Sequence, residues 1–296
     1  MLSHKLQTAV QQRKHLLTKE TDALRLVDGP GDGTPGIFLD TFADRWLVST
    51  RNNQLDPTVR EWLENQGHAC YWKRLDQHEK ESPAHIAGKP EDEPFLAREN
   101  DVNYRIHFQA GYSQGIFLDQ RLNRQRVRDH SAPGKTILNT FAYTGAFSVC
   151  AALGGATTTT LDLSQVYLDW ARDNFQANDL DPADHYFCKG DTFHWLKRFA
   201  RQGRTFDGII LDPPTFSRDD KGKVFRVEKD YHRLVSLAAA CLAPDGWILC
   251  CTNCRKLDPR DFNRMIRQGA PGKNLTTLDM PEEYTGEAYL KSVWVD

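Results

Sequence analysis

Thr136-Ile-Leu-Asn-Thr-Phe-Ala-Tyr-Thr-Gly145-Ala-Phe-Ser148 decides the fold, because a short apolar run passes through one glycine into a segment of helical character. A strand, a tight turn and a helix in that order are the repeating unit of an α/β sheet. The unit recurs downstream. Apolar runs at Thr157–Leu163, His185–Cys188, Phe206–Leu211 and Gly246–Thr252 alternate with helical segments at Gly145–Leu153, Ser164–Asn178, Thr192–Ala200 and Glu228–Leu242. Such alternation predicts a doubly wound parallel sheet covered on both faces. In the helix from Ser164, a stripe of Val166, Leu168, Trp170, Ala171, Phe175 and Ala177 is expected to be buried.

Upstream the pattern is less regular. Residues 2–18 carry apolar positions at Leu6, Val10, Leu16 and Leu17 among many polar ones, which predicts a mostly exposed helix. The turn cluster Gly29-Pro-Gly-Asp-Gly-Thr-Pro-Gly36 lies between Leu24–Val27 and Ile37–Leu39, with Trp46–Val48 following, so short strands are expected there. Tyr104–Phe108 alternates as a strand does. Residues 76–94 are polar, contain proline and show no period, which reads as a long loop or linker. The expected division is therefore a small N-terminal α+β domain over residues 1–97 and a larger α/β domain over 98–296.

Composition limits the function classes. The 296 residues are 40% hydrophobic and 26% charged, with a formal net charge of −2. A nucleic-acid partner would thus need its cations gathered locally. Arg121, Arg124, Arg126 and Arg128 form one such run, and Arg255, Lys256, Arg260, Arg264 and Arg267 another; solvated helix faces pairing with local acids are the plainer use of both. No signal-peptide core or bilayer-length apolar run is visible, and seven cysteines are an odd number without a disulfide framework, so a cytoplasmic chain with reduced thiols and no membrane partner is expected. Cys250, Cys251 and Cys254 have no second pair at zinc spacing, and no metal is expected.

In a doubly wound sheet ligands sit beyond the C-terminal strand ends, at the switch in strand order. The residues closing each apolar run are therefore the candidates. The Asn139–Ser148 turn, with Phe141, Tyr143, Thr144 and Gly145, lets backbone approach a ligand and opens a helix N-terminus to a carboxylate, although a plain strand–helix turn has the same sequence needs. Asp162 closes the next strand and could accept both ribose hydroxyls of an adenosine-containing cofactor; a helix N-cap is the alternative, a role Ser164 could equally take. Asp191, followed by Thr192, could accept from an adenine amino group or cap a helix. Asp212-Pro213-Pro214-Thr215-Phe216-Ser217 closes the fourth strand. Two prolines remove ladder donors, freeze an extended turn and direct carbonyls outward, geometry suited to a base edge or amino group; a purely structural turn is the alternative.

These residues, in this order, resemble class I methyltransferases, and more narrowly the bacterial large-subunit ribosomal RNA methyltransferase family with its cytosine C5 and guanine N7 branches. The resemblance rests on Gly29–Asp40, Gly115-Ile-Phe-Leu-Asp-Gln-Arg121, Leu138–Ser148, Asp162-Leu163-Ser164, Tyr167–Phe175 and Asp212–Ser217. It implies a seven-stranded Rossmann-like sheet whose last strand, within Ala288–Val295, runs antiparallel. It implies S-adenosylmethionine held by Asn139, Phe141, Tyr143, Thr144 and Gly145, with Asp162, Leu163 and Ser164 at the ribose, Asp191 and Thr192 near the adenine, and Asn178 in the set. Arg121 would pair the methionine carboxylate, and Asp212, Pro213 and Pro214 would lie beside the reacting methyl. The N-terminal domain resembles a reduced form of the family's RNA-binding module, with large-subunit ribosomal RNA as the implied partner.

The methyl acceptor divides the branches. Cytosine C5 is a poor nucleophile and needs a thiolate to add at C6, a role Cys254 could take; guanine N7 carries its own lone pair and needs mainly positioning. Thr215-Phe216-Ser217 and Thr252-Asn253 look more like the guanine branch. Cys254 is otherwise a buried apolar thiol. Two further readings stand beside RNA methylation: methylation of a protein side-chain nitrogen, and a non-catalytic RNA-binding or assembly factor that retains the fold.

Overall fold

In the computed structural model, which describes residues 1–77, 81–90, 93–218 and 224–296, the polypeptide divides into two compact units. Met1–Arg121 forms the first together with Pro281–Ala288; Leu122–Met280 and Tyr289–Asp296 form the second.

The first unit contains α1 (Leu2–Arg13), β1 (Ala23–Asp28), β2 (Ile37–Phe42), β3 (Arg45–Thr50), α2 (Pro57–Glu64), β4 (Ala69–Arg74) and β5 (Ala84–Ala87), then the hairpin β6 (Phe95–Glu99) and β7 (Val102–Ile106). Strands β1 to β5 lie side by side in chain order, with β3 and β4 parallel across the α2 crossover. Leu6 and Ala9 of α1 pack with Leu24, Leu26, Trp46 and Trp62 in the core of this sheet. The expected linker over 76–94 is corrected: Ala84–Ala87 pairs antiparallel with β4, while 78–80 and 91–92 lie outside the described residues. Four residues with a mixed pattern are too few to show a period. The unit also runs past residue 97 to Arg121, because the β6–β7 hairpin is tied to β1. Asp22 N–H donates to the Arg98 carbonyl at 2.8 Å, and Arg98 N–H donates to Asp22 Oδ1 at 2.6 Å.

Residues 281–288 enter this unit from far along the chain. Arg13, buried, donates to the Glu283 carbonyl at 2.9 Å and pairs with Asp32 at 2.9 Å. Gly286 N–H donates to Asp28 Oδ2 at 2.8 Å. Gly31, in the Gly-Pro turn cluster, has no room for a side chain, since a Cβ there would lie 2.4 Å from Thr285.

The second unit carries α3 (Arg121–Asp129), β8 (Thr136–Thr140), α4 (Ala146–Leu153), β9 (Thr157–Asp162), α5 (Gln165–Gln176), β10 (Tyr186–Lys189), α6 (Thr192–Arg201) and β11 (Phe206–Leu211). It continues through the short pair β12 (Phe216–Arg218) and β13 (Val224–Arg226), then α7 (Val227–Ala239), β14 (Leu242–Thr252), α8 (Pro259–Gly269), β15 (Leu275–Leu278) and β16 (Lys291–Val295). Its main sheet has seven strands in the order β10-β9-β8-β11-β14-β16-β15. Strand β16 runs antiparallel to both neighbours, β14 and β15, while the other pairs are parallel. The sheet therefore has the expected doubly wound class I form with one antiparallel strand. β15 has only four residues and was not anticipated from the sequence.

One face is buried by α7 and α8 through Tyr231, Leu234, Phe262 and Ile266 against Leu211 and Ile248. The other holds Val127, Phe147, Ala151 and the stacked pair Trp247–Trp294, whose centroids are 4.3 Å apart. In α5, Leu168, Ala171 and Phe175 are buried as expected, but Val166 is 70% exposed. At about 100° per residue Val166 falls on the face of the helix opposite Leu168 and Phe175, so the expected stripe could not bury all of them together. The strand order reverses at β8 and β11, which places the ligand crevice at their C-terminal ends.

Candidate functional site

Register fixes the rim. Leu161, Thr140, Leu211 and Cys250 occupy one row across β9, β8, β11 and β14. Asp162 and Asp212 therefore lie one residue beyond the same row, two strands apart, or about 10 Å at the usual strand spacing. Lys189 of β10 pairs with Asp162, so Asp191 follows two residues later on the same edge. The three acids share the C-terminal rim of the sheet.

The turn after β8 is built from unusual backbone. Phe141, Tyr143 and Gly145 all have positive φ, at 52°, 50° and 73°. For Phe and Tyr this conformation costs of order 1–3 kcal/mol and persists only where surrounding contacts impose it. The contacts are present. Asp162 Oδ2 accepts from Tyr143 N–H at 2.8 Å, and Oδ1 accepts from Ser164 N–H at 2.9 Å. Asn174, buried in α5, donates its amide to the Thr144 carbonyl at 2.8 Å. Gly145 satisfies two demands, positive φ and the close passage of α4 over α5, where a Cβ would meet that of Ala171 at 2.6 Å.

Asp162 is thus no helix cap. Ser164 caps α5, its hydroxyl accepting from Tyr167 N–H at 3.4 Å. Burial raises the Asp162 carboxyl above its ordinary value, opposed by hydrogen bonds from the backbone N–H groups of Ser164, Tyr143 and Leu163. With three backbone N–H groups on its two oxygens, the carboxylate is held in one orientation at the rim. Leu163 beside it is partly exposed, an apolar surface at the edge of the crevice. No side chain caps the N-terminus of α4. A fixed acceptor pair, an apolar shelf and a helix N-terminus form a set that suits a nucleoside bearing an anionic tail.

Other expected residues sit differently. Asp191 is the N-cap of α6, its Oδ1 accepting from His194 N–H at 2.8 Å, with Thr192 buried as the first helical residue. Asn139 is buried under the rim and donates to Ser148 Oγ at 3.0 Å, so its amide supports α4 instead of facing a ligand. Asn178 follows the far end of α5, about 18 Å from the rim for a 12-residue helix, and bonds the Asn174 carbonyl at 2.7 Å. Arg121 lies at the end of the first unit, and its Nε and Nη2 donate to the buried Glu283 carboxylate at 3.2 and 2.7 Å. That partner stands 162 positions away in the chain.

Asp212 is half-buried and Pro213 buried, while Pro214 and Thr215 are exposed. Cys254, beyond β14, is 4% exposed and belongs to the apolar core under α7 and α8. Two residues the sequence reading passed over complete the picture. Asn174 and Tyr231 each interrupt an apolar helical stripe with a polar group, and that interruption was the available signal.

The S-adenosylmethionine-dependent methyltransferase pattern matches residues 46–287. The chain belongs to the S-adenosylmethionine-dependent methyltransferase family. It is 36% identical over 274 residues to YwbD of Bacillus subtilis, provisionally named a ribosomal RNA large subunit methyltransferase, covering 88% of this chain and 69% of that protein. Ribosomal RNA large subunit methyltransferase K of Neisseria meningitidis is 35% identical over 214 residues, 72% of this chain and 57% of that one. A provisionally assigned methyltransferase solved with S-adenosylhomocysteine superposes with a TM-score of 0.90 at 33% identity, covering 100% of this chain and 81% of its own. This methyltransferase therefore has an α/β catalytic fold and uses S-adenosylmethionine. Among its described residues no helix is long and apolar enough to cross a membrane.

Proposed function

We propose that this methyltransferase modifies a base of large-subunit ribosomal RNA, with guanine N7 as the acceptor. The RNA class is supported by the names of its relatives in Bacillus subtilis and Neisseria meningitidis. The acceptor atom rests on one observation, the burial of Cys254 in the apolar core. Addition to cytosine C6 needs an accessible thiolate, and a thiol closed off by side chains offers none. Guanine N7 needs no covalent help.

When bound, S-adenosylmethionine supplies an electrophilic methyl on a sulfonium. The protein's own task is then positioning. In this reading Asp162 holds the ribose, with its loop N–H groups keeping the carboxylate oriented. The left-handed turn from Phe141 to Gly145 and the N-terminus of α4 hold the methionine end. Asp191, whose Oδ1 is committed to the helix, has Oδ2 for the adenine side. Asp212 and the carbonyls of the Pro213-Pro214 turn would accept from guanine N1–H and its amino group, fixing the plane of the base in the crevice. N7 bears no hydrogen, so no base has to remove a proton from the attacking atom.

Ribosomal RNA isolated from a strain lacking the gene tests the proposal. Incubation with the purified enzyme and methyl-labelled S-adenosylmethionine should label the RNA, and digestion should yield 7-methylguanosine. Recovery of 5-methylcytidine would replace the guanine reading with the cytosine one. Label in protease-sensitive material would replace RNA with a protein nitrogen, and absence of any transfer with retained RNA binding would indicate an assembly factor.

A further inference from the structure

The prolines that define the Asp212 turn create a problem in the sheet. Neither Pro213 nor Pro214 has an N–H, so β11 cannot continue its ladder past Asp212. The Ile210 and Leu211 carbonyls of β11 and the Cys251 carbonyl of β14 lie near this end of the sheet. Their partners come from side chains. Thr140 of β8 donates its hydroxyl to the Ile210 carbonyl at 2.7 Å. Tyr231 of α7 is fully buried, and its hydroxyl lies 2.9 Å from the Leu211 carbonyl and 3.1 Å from the Cys251 carbonyl. One phenolic proton is shared by the two strand ends. One carbonyl immediately precedes Asp212-Pro-Pro, and the other precedes Thr252-Asn253.

We infer that Tyr231 is a positioning residue for methyl transfer, whose hydroxyl clamps the ends of β11 and β14 together and so sets the aim of the Asp212 turn. The ring is fixed for this task. It packs edge-on against Phe262 at 4.8 Å and belongs to the core between α7, α8 and the sheet. Burial holds the phenol well above its ordinary pKa, reinforced by nearby Cys250, Cys251 and Asp212, so the group remains a donor across the working range. The clamp leaves the turn after β8 untouched, because Asp162 and Asn174 hold that turn from other elements. Its loss should therefore affect transfer and not cofactor binding. This separation concerns the family's transfer step and does not depend on which RNA base is the acceptor.

Tyr231→Phe removes the hydroxyl and keeps the ring. The expected result is a fall of about tenfold or more in kcat, with the calorimetric Kd for S-adenosylmethionine within twofold of the parent. Phe262→Leu, which loosens the same core without touching the hydroxyl, should keep kcat within threefold when both are assayed equally far below their Tm. Unchanged kcat in Tyr231→Phe, or equal losses in both variants, would overturn the inference. Hydrogen exchange on the unaltered protein gives an independent check if the variant does not fold. Amides of Asp212 and of residues 252–254 should exchange as slowly as the interiors of β11 and β14; exchange at the rate of exposed loops would mean that the strand ends are not held.

Discussion

The turns after β8 and β11 meet the same rim and are held in opposite ways. After β8 the backbone takes left-handed conformations at Phe141 and Tyr143 and is kept there by added hydrogen bonds, from the Asp162 carboxylate and the Asn174 amide. After β11 two prolines delete donors, and a buried hydroxyl answers the carbonyls that remain. The first turn is rigid because many groups converge on it; the second because few conformations are open to it. A site for a large cofactor suits the first device, since in the proposed reading Asp162 would both shape the loop and meet the ligand. A site for a base edge would suit the second, whose two prolines leave it few conformations.

Substitutions should separate the two turns. Asp212→Ala should have the largest effect, lowering transfer to RNA by about a thousandfold, roughly 4 kcal/mol of transition-state stabilisation, while the calorimetric Kd for S-adenosylmethionine stays within threefold. Retained turnover would move the acceptor site away from the β11 turn. Asp162→Ala should weaken cofactor binding by about a hundredfold, close to 2.7 kcal/mol, and an unchanged Kd would sink the ribose assignment. Asn174→Ala leaves the Thr144 carbonyl without its buried partner, so a loss of about 1–3 kcal/mol should appear in denaturant titration. Cys254→Ala should be the mildest, with turnover within twofold of the parent; abolished transfer would restore the cytosine reading.

Acidity sharpens the same contrast. Burial raises the folded-state pKa of Asp162 above the ordinary aspartate value, against the pull of its backbone N–H bonds. A carboxyl raised in this way favours the neutral folded form, so its contribution to stability is present below the unfolded pKa and is lost as pH rises through the folded value. Cofactor binding should run the other way, because in the proposed reading the ribose hydroxyls would donate to the ionised carboxylate. Affinity should therefore fall with acidification starting above the ordinary aspartate range, and Asp162→Asn should flatten that dependence. A parent titration with no inflection above the ordinary range would count against the buried carboxylate as ligand.

The strands of the larger unit were legible because fully buried parallel strands are apolar throughout and alternate with helices of regular length. Phe206–Leu211 is found with the bounds read from its composition. That reading carried Asp162, Asp191 and Asp212 to one edge, since strand ends follow directly from strand positions. What could not be read was direction within an element. Asn139 stands one residue from the end of β8, and the pleat turns it under α4; Asn178 follows the right helix but at its wrong end. Arg121 stands in a motif that points to a ligand, yet its partner is a glutamate 162 residues away, which no local pattern announces. Short edge strands such as β5 and β15 lack the length to show a period.

The stretch at 281–288 has a consequence for how the molecule is made. Glu283 accepts from Arg13 and Arg121, and Gly286 N–H donates to Asp28, so part of the bonding of these buried groups comes from residues translated 162 to 270 positions after them. Strand β16 of the other unit follows a few residues later. Both halves must therefore wait for nearly the same moment of synthesis to finish folding. A nascent chain stalled before residue 281 should remain open to proteases in its N-terminal half as well as in its catalytic half.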